Sequence, residues 1–317
     1  MAAKHAASTA LLIDDRFLDH DTGQHPEHPR RIAAIQLALR EAELLNDRTR
    51  VEIRPATDEQ ILRVHTATHL ARLEQAVQAG GAWIDADTLV GPDSLNVARL
   101  AAGAAVAAVD AVVHGSIQRA FCIGRPPGHH ATPDRAMGFC LLNSVAIAAS
   151  HARSLGLQRV AIIDWDVHHG NGTQDIFYRD PDVWYASLHQ SPLYPGTGGR
   201  AETGVDAGLG TTLNCPLLPM SGNEKWLETM RDTVVPFIEE AAPELILLSA
   251  GYDAHRHDPI GSCQVDDDGF AELTRVVADM ADRHTGGKVI AVLEGGYDPD
   301  TLGRSVARSL QALDGAN

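Results

Sequence analysis

Short apolar runs alternate along the chain with longer segments in which apolar residues recur every three or four positions. Six runs have the length and the β-branched content of strands buried on both faces: residues 119–123, 159–164, 183–188, 211–217, 244–250 and 288–293. Three segments show helical spacing instead: residues 141–155, 226–240 and 270–283, the last preceded by three aspartates that suit a helix N-terminus. This alternation predicts an α/β protein with a parallel, doubly wound sheet.

Four of the predicted strands are followed directly by unusually polar segments. Their sequences are GRPPGHH from residue 124, DWDVHHGNG from 164, GYDAHRHDPIG from 251 and EGGYD from 294. In open parallel sheets, ligands bind outside the carboxyl ends of the strands. We therefore expect the four segments to meet at one edge of the sheet and to form a single site.

The segment DWDVHH has the pattern of a metal site. In an extended chain successive side chains alternate faces, so Asp164, Asp166 and His168 share one side. Asp258 would add a carboxylate from a neighbouring strand end. Two carboxylates and one imidazole leave a fourth position open, as in catalytic zinc sites, although Fe(II) and Co(II) accept the same ligands. The alternative is a set of solvated loop residues, which is disfavoured because unpaired carboxylates are costly to bury.

Two further polar features suggest catalytic groups. His129 and His130 follow two prolines and a glycine, a backbone suited to aiming both rings, and histidine is the natural general base near neutral pH. Tyr297 follows two glycines, and its phenol could donate to a developing oxyanion. Considered singly, the histidine pair is also compatible with exposed loop residues that have no catalytic role. Tyr297 alone is also compatible with an ordinary half-buried tyrosine.

Composition narrows the possible partners. The 317 residues are 44% hydrophobic and 21% charged, with a net charge of −16. The absence of a strong positive charge argues against nucleic acid as a partner. The negative charge would favour a cationic substrate, but it is equally typical of a merely soluble protein. No linker or repeat divides the chain, so we predict one domain over residues 1–317.

Several segments bear on location. The four cysteines form no CxxC pair and lie in or beside apolar runs, which suits a reduced, cytoplasmic protein. The N-terminus lacks the apolar core of a signal peptide, and residues 100–113 fit a buried helix better than a membrane span. The glycine-rich residues 196–210 lack the context of a phosphate cradle, so we predict an ordered surface loop.

Taken together, the motifs resemble the zinc-dependent histone deacetylase family, above all its class II branch and the bacterial deacetylase-like members. The resemblance covers residues 20–298 and is carried by RPPGHHA, GFCLLNSVAIAA, DWDVHHGNGTQDIFY, YPGTG, SAGYDAHRHDPIG and LEGGYD. It implies an arginase/deacetylase-like three-layer α/β/α fold. The central, mainly parallel sheet would have about eight strands.

The resemblance also implies a role for each site residue. Asp166, His168 and Asp258 would bind one zinc ion. His130 would be the general base and then the general acid, with Asn171 as its partner, while Asp164 would hold His129. Tyr297 would polarise the substrate carbonyl. The substrate-binding residues would be Gly138, Phe139, Tyr194, Ile260 and Gly296.

Potassium sites follow from the resemblance alone. The first would use Asp164, Asp166, His168, Ser187 and Leu188, partly through backbone oxygens. A second, outer site would involve Phe177, Asp180 and Val183.

The implied activity is removal of acetyl or other acyl groups from Nε-acyl-lysine in peptides or proteins. An acetylpolyamine or another small acylated amine is the alternative, weakened because Ile260 stands where the polyamine-selective relative has an acidic residue. A non-catalytic metal-dependent binding module and a binuclear manganese hydrolase fit the catalytic residues less well. Asp93 and Ser94 are candidate rim residues, no nucleic-acid or membrane partner is expected, and the oligomeric state is not predicted.

Overall fold

Nine strands form two sheets in the computed structural model, which describes residues 9–315. The strands are β1 (Ala10–Leu12), β2 (Ala82–Trp83), β3 (Leu89–Val90), β4 (Arg119–Cys122), β5 (Val160–Asp164), β6 (Val183–Gln190), β7 (Thr212–Leu217), β8 (Leu245–Ala250) and β9 (Val289–Leu293). β2 and β3 form a small antiparallel hairpin. The other seven strands form one parallel sheet in the order β1-β4-β9-β8-β5-β6-β7.

The predicted strands correspond to β4 through β9 within two residues at either end. Every residue of β5, β8 and β9 is buried, as expected for parallel strands covered on both faces. The large sheet has seven strands rather than about eight. The first of them, β1, was not predicted, because three residues at a sheet edge are too short to give a periodic signal.

Helices cover both faces of the sheet. They are α1 (Arg30–Glu41), α2 (Asp58–Ile61), α3 (Ala67–Gln78), α4 (Ser94–Val113), α5 (Ser144–Ser154), α6 (Asn171–Phe177), α7 (Asn223–Thr229), α8 (Val235–Ala241), α9 (Asp267–His284) and α10 (Pro299–Leu313). α4 packs against α5 and β4, while α10 packs against both α9 and α1. Among the described residues α4 alone is long and apolar enough to cross a membrane, yet 67% of its most apolar window is buried within the protein.

Two predicted helices differ from the observed ones in an informative way. The helix predicted over residues 226–240 is divided by a π-helical turn, Met230–Val234, between α7 and α8. Pro236 lacks the N–H that would continue the regular pattern of hydrogen bonds, and a wider turn accommodates it. The helix predicted from residue 141 begins at Ser144, because the Asn143 side chain accepts from the backbone N–H of Ala146 and caps it.

Candidate metal centre and active site

The polar segments that follow β4, β9, β8 and β5 lie side by side, because these four strands are consecutive neighbours in the large sheet. Asp164 ends β5 and pairs in register with Ser249 of β8 and with Ser187 of β6. The carboxyl ends of these strands therefore form one floor. This arrangement agrees with the expectation that the four segments build one site.

Asp166 and His168 face each other above this floor. The Asp166 Oδ1 atom lies 3.0 Å from His168 Nδ1 and accepts the backbone N–H of His168 at 2.9 Å. The Asp166 Oδ2 atom accepts from the backbone N–H of Gly295 at 2.8 Å. Two donor atoms bound about 2.0–2.2 Å from one ion are separated by about 3 Å, so this pair has the spacing of neighbouring ligands.

Two further aspartates come from the segment after β8. Asp258 lies beside the Tyr297 loop, where its Oδ2 accepts from the Tyr297 backbone N–H at 2.6 Å and its Oδ1 from that of Ile260 at 2.9 Å. Asp253 was not predicted. Its Oδ2 lies 3.1 Å from His168 Nδ1, and its Oδ1 accepts from the Val167 backbone N–H at 2.8 Å. The donor atoms of Asp253, Asp166 and His168 all lie within 4.8 Å of one another.

Asp164 is fully buried and holds His129. Its Oδ2 accepts from His129 Nδ1 at 3.0 Å and from the Tyr185 hydroxyl at 3.1 Å. Burial disfavours a charged His129, but Asp164 and Asp166 outweigh burial and raise the pKa of His129 to about 10. His129 is therefore an imidazolium at neutral pH.

His130 is neutral and has a defined tautomer. Its Nδ1 lies 2.8 Å from Oδ1 of Asn171, and the amide nitrogen of Asn171 donates to Met137 Sδ at 3.5 Å. An amide oxygen only accepts, so the His130 proton resides on Nδ1 and Nε2 is left as a base. Burial, followed by the charges of His129 and His168, holds the pKa of His130 well below its usual value.

Glu294 was not assigned from the sequence, although it follows β9 as the first residue of the segment EGGYD. Its Oε2 accepts the backbone N–H groups of Gly128 at 2.6 Å and His129 at 3.1 Å, and its Oε1 accepts from the Ser249 hydroxyl at 3.1 Å. The carboxylate thus ties the histidine loop to the ends of β8 and β9. The rule that polar residues ending strands belong to the site would have found it.

Five carboxylates share this buried space, each at most 8% exposed: Asp164, Asp166, Asp253, Asp258 and Glu294. Among the described residues, none of the five forms an ion pair with lysine or arginine. Burial raises the pKa values of Asp253 and Glu294 to about 7, and it also raises those of Asp164 and Asp258. The hydrogen bonds and charges of His168 and His129 outweigh burial only at Asp166, whose pKa is lowered.

This charge balance fits bound cations. The imidazoliums of His129 and His168 are too few to balance all five carboxyl groups in their ionised form, and a buried charge without a partner is strongly unfavourable. The raised pKa values of four of the carboxyl groups reflect this shortage of positive charge, which bound cations would supply. Carboxylate oxygens and an imidazole nitrogen are the donor types of catalytic zinc sites. The residues therefore fit a divalent metal ion held between Asp166 and His168.

A cavity of about 130 Å³ opens onto His130 and His168. Its other lining residues are Asp87, Gly138, Phe139, Tyr194, Ile260 and Tyr297. The Tyr194 ring stands edge-on to the His130 ring, with 5.1 Å between centroids, and the Phe139 ring stands edge-on to Tyr297 at 5.6 Å. The cavity is thus a narrow slot between aromatic walls that ends at the polar floor.

Position 138, in the wall of the slot, accepts only glycine. Its φ of +55° lies in the left-handed region, and a Cβ there would lie 2.5 Å from Cδ2 of His130. Any other residue would displace the base. The sequence predicted Gly138, Phe139, Tyr194 and Ile260 as substrate-binding residues, and all four line the slot.

Other predicted residues lie elsewhere. Gly296 is absent from the residues that line the slot, and its carbonyl accepts from Arg31 Nε at 2.6 Å. Ser94 is fully buried and its hydroxyl bonds His20 at 2.6 Å. The prediction that Ser94 lies at the rim is therefore wrong. Asp93 is exposed at the start of α4. The acidic side chain in the slot is Asp87, which was not predicted.

Arg31 supports the loop that carries Tyr297. Its guanidinium donates to the carbonyls of Glu294 and Gly296 and lies 4.9 Å from the centroid of the Tyr297 ring. It also pairs with buried Glu27, which Arg125 grips through two further bonds of 2.8 and 2.6 Å. The N-terminal segment HPEHPRR thus supports the site although it is far from Tyr297 along the chain. No local sequence pattern reveals this contact.

The residues assigned to potassium lie at the carboxyl end of β5, within β6 and between α6 and β6. Ser187 and Leu188 are buried in β6 beside Asp164, and the Ser187 hydroxyl bonds His189 Nδ1 at 2.9 Å. Phe177 and Asp180 lie between α6 and β6, where Phe177 O accepts from the Asp180 backbone N–H at 2.9 Å. Val183 begins β6.

Fold and site together define a class of protein: an α/β protein whose parallel strands end at a buried cluster of carboxylates and histidines that could hold a metal ion. The Histone deacetylase domain family profile matches residues 25–313. The chain is 43% identical to the Histone deacetylase-like amidohydrolase of Pseudomonas aeruginosa, over 91% of this chain and 81% of that protein. It is 44% identical to a probable deacetylase of Methanothermobacter thermautotrophicus, over 93% and 88% of the two chains.

A solved structure agrees with these relatives. The crystal structure of the HDA15 HD domain superposes with a TM-score of 0.93 at 35% identity and covers 98% of this chain and 89% of that one. The chain belongs to the histone deacetylase family. It is a hydrolase of amide bonds, with the arginase/deacetylase-like fold.

Proposed function

We propose that the protein is a zinc-dependent amidohydrolase that removes acetyl or other acyl groups from Nε-acyl-lysine in peptides or proteins. The observation that carries the proposal is the slot of about 130 Å³ that ends at His130 and His168. A slot of this size accepts a linear acylated side chain and excludes a folded peptide backbone. The residue that bears the acyl group therefore reaches the site from outside.

Asp166, His168 and Asp258 would hold the zinc ion, while Asp253 would hold the backbone of the segment that carries His168 by accepting from the Val167 N–H. A zinc ion so held supplies Lewis acidity to the acyl carbonyl and lowers the pKa of a bound water. We place Asp253 behind the ligands because it is fully buried below the floor of the slot. Asp258 is slightly exposed and faces the Tyr297 loop.

His130 accepts the proton of the attacking water. Asn171 holds its proton on Nδ1, so the free Nε2 is the base, and the same nitrogen later donates to the leaving amine. His129, charged and held by Asp164, keeps its neighbour neutral: the two ring centroids are 4.0 Å apart. A neutral His130 is the form that a general base requires.

Tyr297 donates its hydroxyl proton in a hydrogen bond to the oxyanion that forms on the acyl carbon. The hydroxyl makes no hydrogen bond to protein within residues 9–315, so it is available to the substrate. Asp258 and Arg31 position the Tyr297 backbone and ring from either side.

Potassium would neutralise the negative charge that remains around Asp164. The first ion would be bound by Asp164, Asp166, His168, Ser187 and Leu188, and a second by Phe177, Asp180 and Val183. The buried carboxylates at the carboxyl ends of β5, β8 and β9 support the first site. The four free, buried cysteines support a reducing, cytoplasmic location.

A small acylated amine is the second candidate substrate, and Asp87 is the observation that favours it. Its carboxylate lies in the wall of the slot, where it would attract the distant ammonium group of an acetylated polyamine. In a peptide, the same carboxylate would accept a backbone N–H.

A turnover panel distinguishes these substrates. It comprises acetyl-, trifluoroacetyl- and longer acyl-lysine peptides beside acetylputrescine and acetylspermidine, each with zinc-loaded and chelator-treated protein. We expect the highest kcat/KM for acyl-lysine peptides and turnover that is lost with chelator and restored by zinc. A strong preference for the free polyamines would reject the leading substrate.

A further inference from the structure

A second cavity, of about 380 Å³, lies beside the slot. One wall is the segment from Gly23 to the start of α1, and the other is formed by Tyr297 and Pro299. Tyr297 lines both cavities, so its ring is the partition between them. His25, which lines the second cavity, stands edge-on to Phe139 of the slot with 4.5 Å between ring centroids, so the two cavities are neighbours.

The lining of this second cavity is basic. Arg30 and Arg31 both contribute to it, and no carboxylate side chain lines it among the described residues. Arg30 is exposed and forms no ion pair with any residue between 9 and 315. Such a patch stands out on a chain with a net charge of −16.

His28 adds a neutral hydrogen-bond donor. Its Nδ1 accepts the backbone N–H of Arg30 at 3.0 Å, so the ring proton is on Nε2. No hydrogen bond from Nε2 to protein exists within the described residues. The cavity therefore offers the guanidinium of Arg30 and the N–H of His28 without a protein acceptor for either.

The nearby carboxylates are already engaged. Glu27 is buried between Arg31 and Arg125, and Asp298 accepts from the backbone N–H and the hydroxyl of Thr301 at 2.9 and 2.8 Å. Neither carboxylate lines the cavity. Asp21, whose Oδ1 accepts from the Gly23 backbone N–H at 2.9 Å, does not line it either. Among the described residues the lining therefore lacks an anion, which an external ligand would provide.

We propose that this cavity is a subsite for a carboxylate of the substrate, held outside the slot by Arg30 and His28. The inference rests on the proposed function and gives the enzyme a preference among acyl-lysine peptides. The carboxylate would belong either to a glutamate or aspartate next to the acyl-lysine or to the terminal carboxylate of an acyl-lysine at the end of a chain. A guanidinium and an imidazole N–H suit both sources.

Two matched pairs of acetyl-lysine peptides test the subsite. One pair carries glutamate or glutamine after the acetyl-lysine, and the other ends at the acetyl-lysine as a free acid or a carboxamide. With zinc-loaded wild-type protein we expect kcat/KM about three- to tenfold higher for the acidic member of at least one pair. Whichever pair shows the difference identifies the source of the carboxylate.

The variant Arg30→Glu should abolish or invert that preference and leave kcat/KM for the neutral peptides unchanged. Arg40→Glu is the matched control, because Arg40 is exposed on the same helix, forms no ion pair among the described residues and lies about 15 Å further along it. It makes the same change in net charge away from the cavity.

Equal kcat/KM within both pairs for the wild type would overturn the subsite. So would an equal loss of preference in both variants, since that result reflects only net charge. Absence of turnover with every peptide would reject the proposed function instead. In that case fluorescence anisotropy with the uncleaved peptides measures binding at the subsite. We expect Kd to be about three- to tenfold lower for the acidic member of a pair, and equal Kd values within both pairs would overturn the subsite.

Discussion

The Nδ1 atom of His130 lies 2.8 Å from Oδ1 of Asn171, and this contact determines which nitrogen of the ring acts as the base. An aspartate at position 171 would accept the same hydrogen bond but add a negative charge. An alanine would remove the bond and free the ring to take either tautomer.

Asn171→Asp should therefore retain most activity and shift the acidic limb of the kcat/KM profile towards higher pH. The added carboxylate favours the imidazolium and raises the pKa of His130, so less neutral base remains at a given pH. Asn171→Ala should lower kcat about 10²-fold without such a shift, in line with the usual contribution of general base catalysis. A pH–rate profile of the three proteins distinguishes the outcomes, and an unshifted profile for the aspartate variant would contradict the assignment.

Tyr297→Phe should lower kcat about 10²- to 10³-fold and leave zinc content unchanged, because the phenol contributes an oxyanion donor and no ligand. Steady-state kinetics with metal analysis checks both parts. Normal turnover of acetyl-lysine peptides by this variant would show that Tyr297 does not stabilise the transition state.

Asp258→Asn should lower zinc affinity more than Asp253→Asn does. A residue that only orients a ligand typically affects affinity about 10- to 100-fold, whereas loss of a ligand costs more. Competition with a chromophoric chelator measures both affinities. The reverse order would make Asp253 the third ligand, which the 3.1 Å contact with His168 also permits.

Gly138→Ala should abolish most activity, because the new Cβ would overlap the His130 ring, 2.5 Å away. A displacement of about 1 Å in a catalytic group costs on the order of 10²-fold in rate. Gly286→Ala is the control for backbone strain: Gly286 has φ of +66° and nothing within 4 Å of its Cβ position. We expect the control to lose some thermal stability and to keep its kcat.

The pH dependence of stability tests a buried histidine that is not part of the metal cluster. His65 is buried, its Nε2 accepts from the Asn143 backbone N–H at 2.9 Å, and its Nδ1 therefore donates to Thr132 O. Burial lowers the pKa of His65 to about 3. Between the unfolded value near 6.5 and this folded value, the unfolded chain binds the extra proton, so stability falls as pH falls.

Between pH 6.5 and the folded pKa, we expect His65 to lower the free energy of unfolding by about 1 kcal/mol for each unit by which the pH falls. Urea unfolding at pH 7.5, 6.0 and 5.0 measures the slope for the wild type and for His65→Gln. The variant should be less stable at pH 7.5 and should depend less steeply on pH. The exposed His114→Gln serves as the control, and a variant slope equal to that of the wild type would contradict the prediction.

Much of the site was predictable because local chemistry encodes it. Asp164 ends β5, and Asp166 and His168 follow within four positions, so an extended chain alone places the three together. The apolar runs predicted β4 to β9 within two residues, since strands buried on both faces leave a continuous apolar signature. The motifs then carried the resemblance to the family over most of the chain.

Only the tertiary structure decided which distant groups complete the site. Glu294 bonds Gly128 across 166 positions and Arg31 bonds Gly296 across 265, and no periodic pattern relates residues so far apart. The sequence alone established the polar strand ends and the chemistry they offer. The order of strands in the sheet decided the rest, because hydrogen bonds and buried charges depend on distances of about 3 Å that only the folded chain defines.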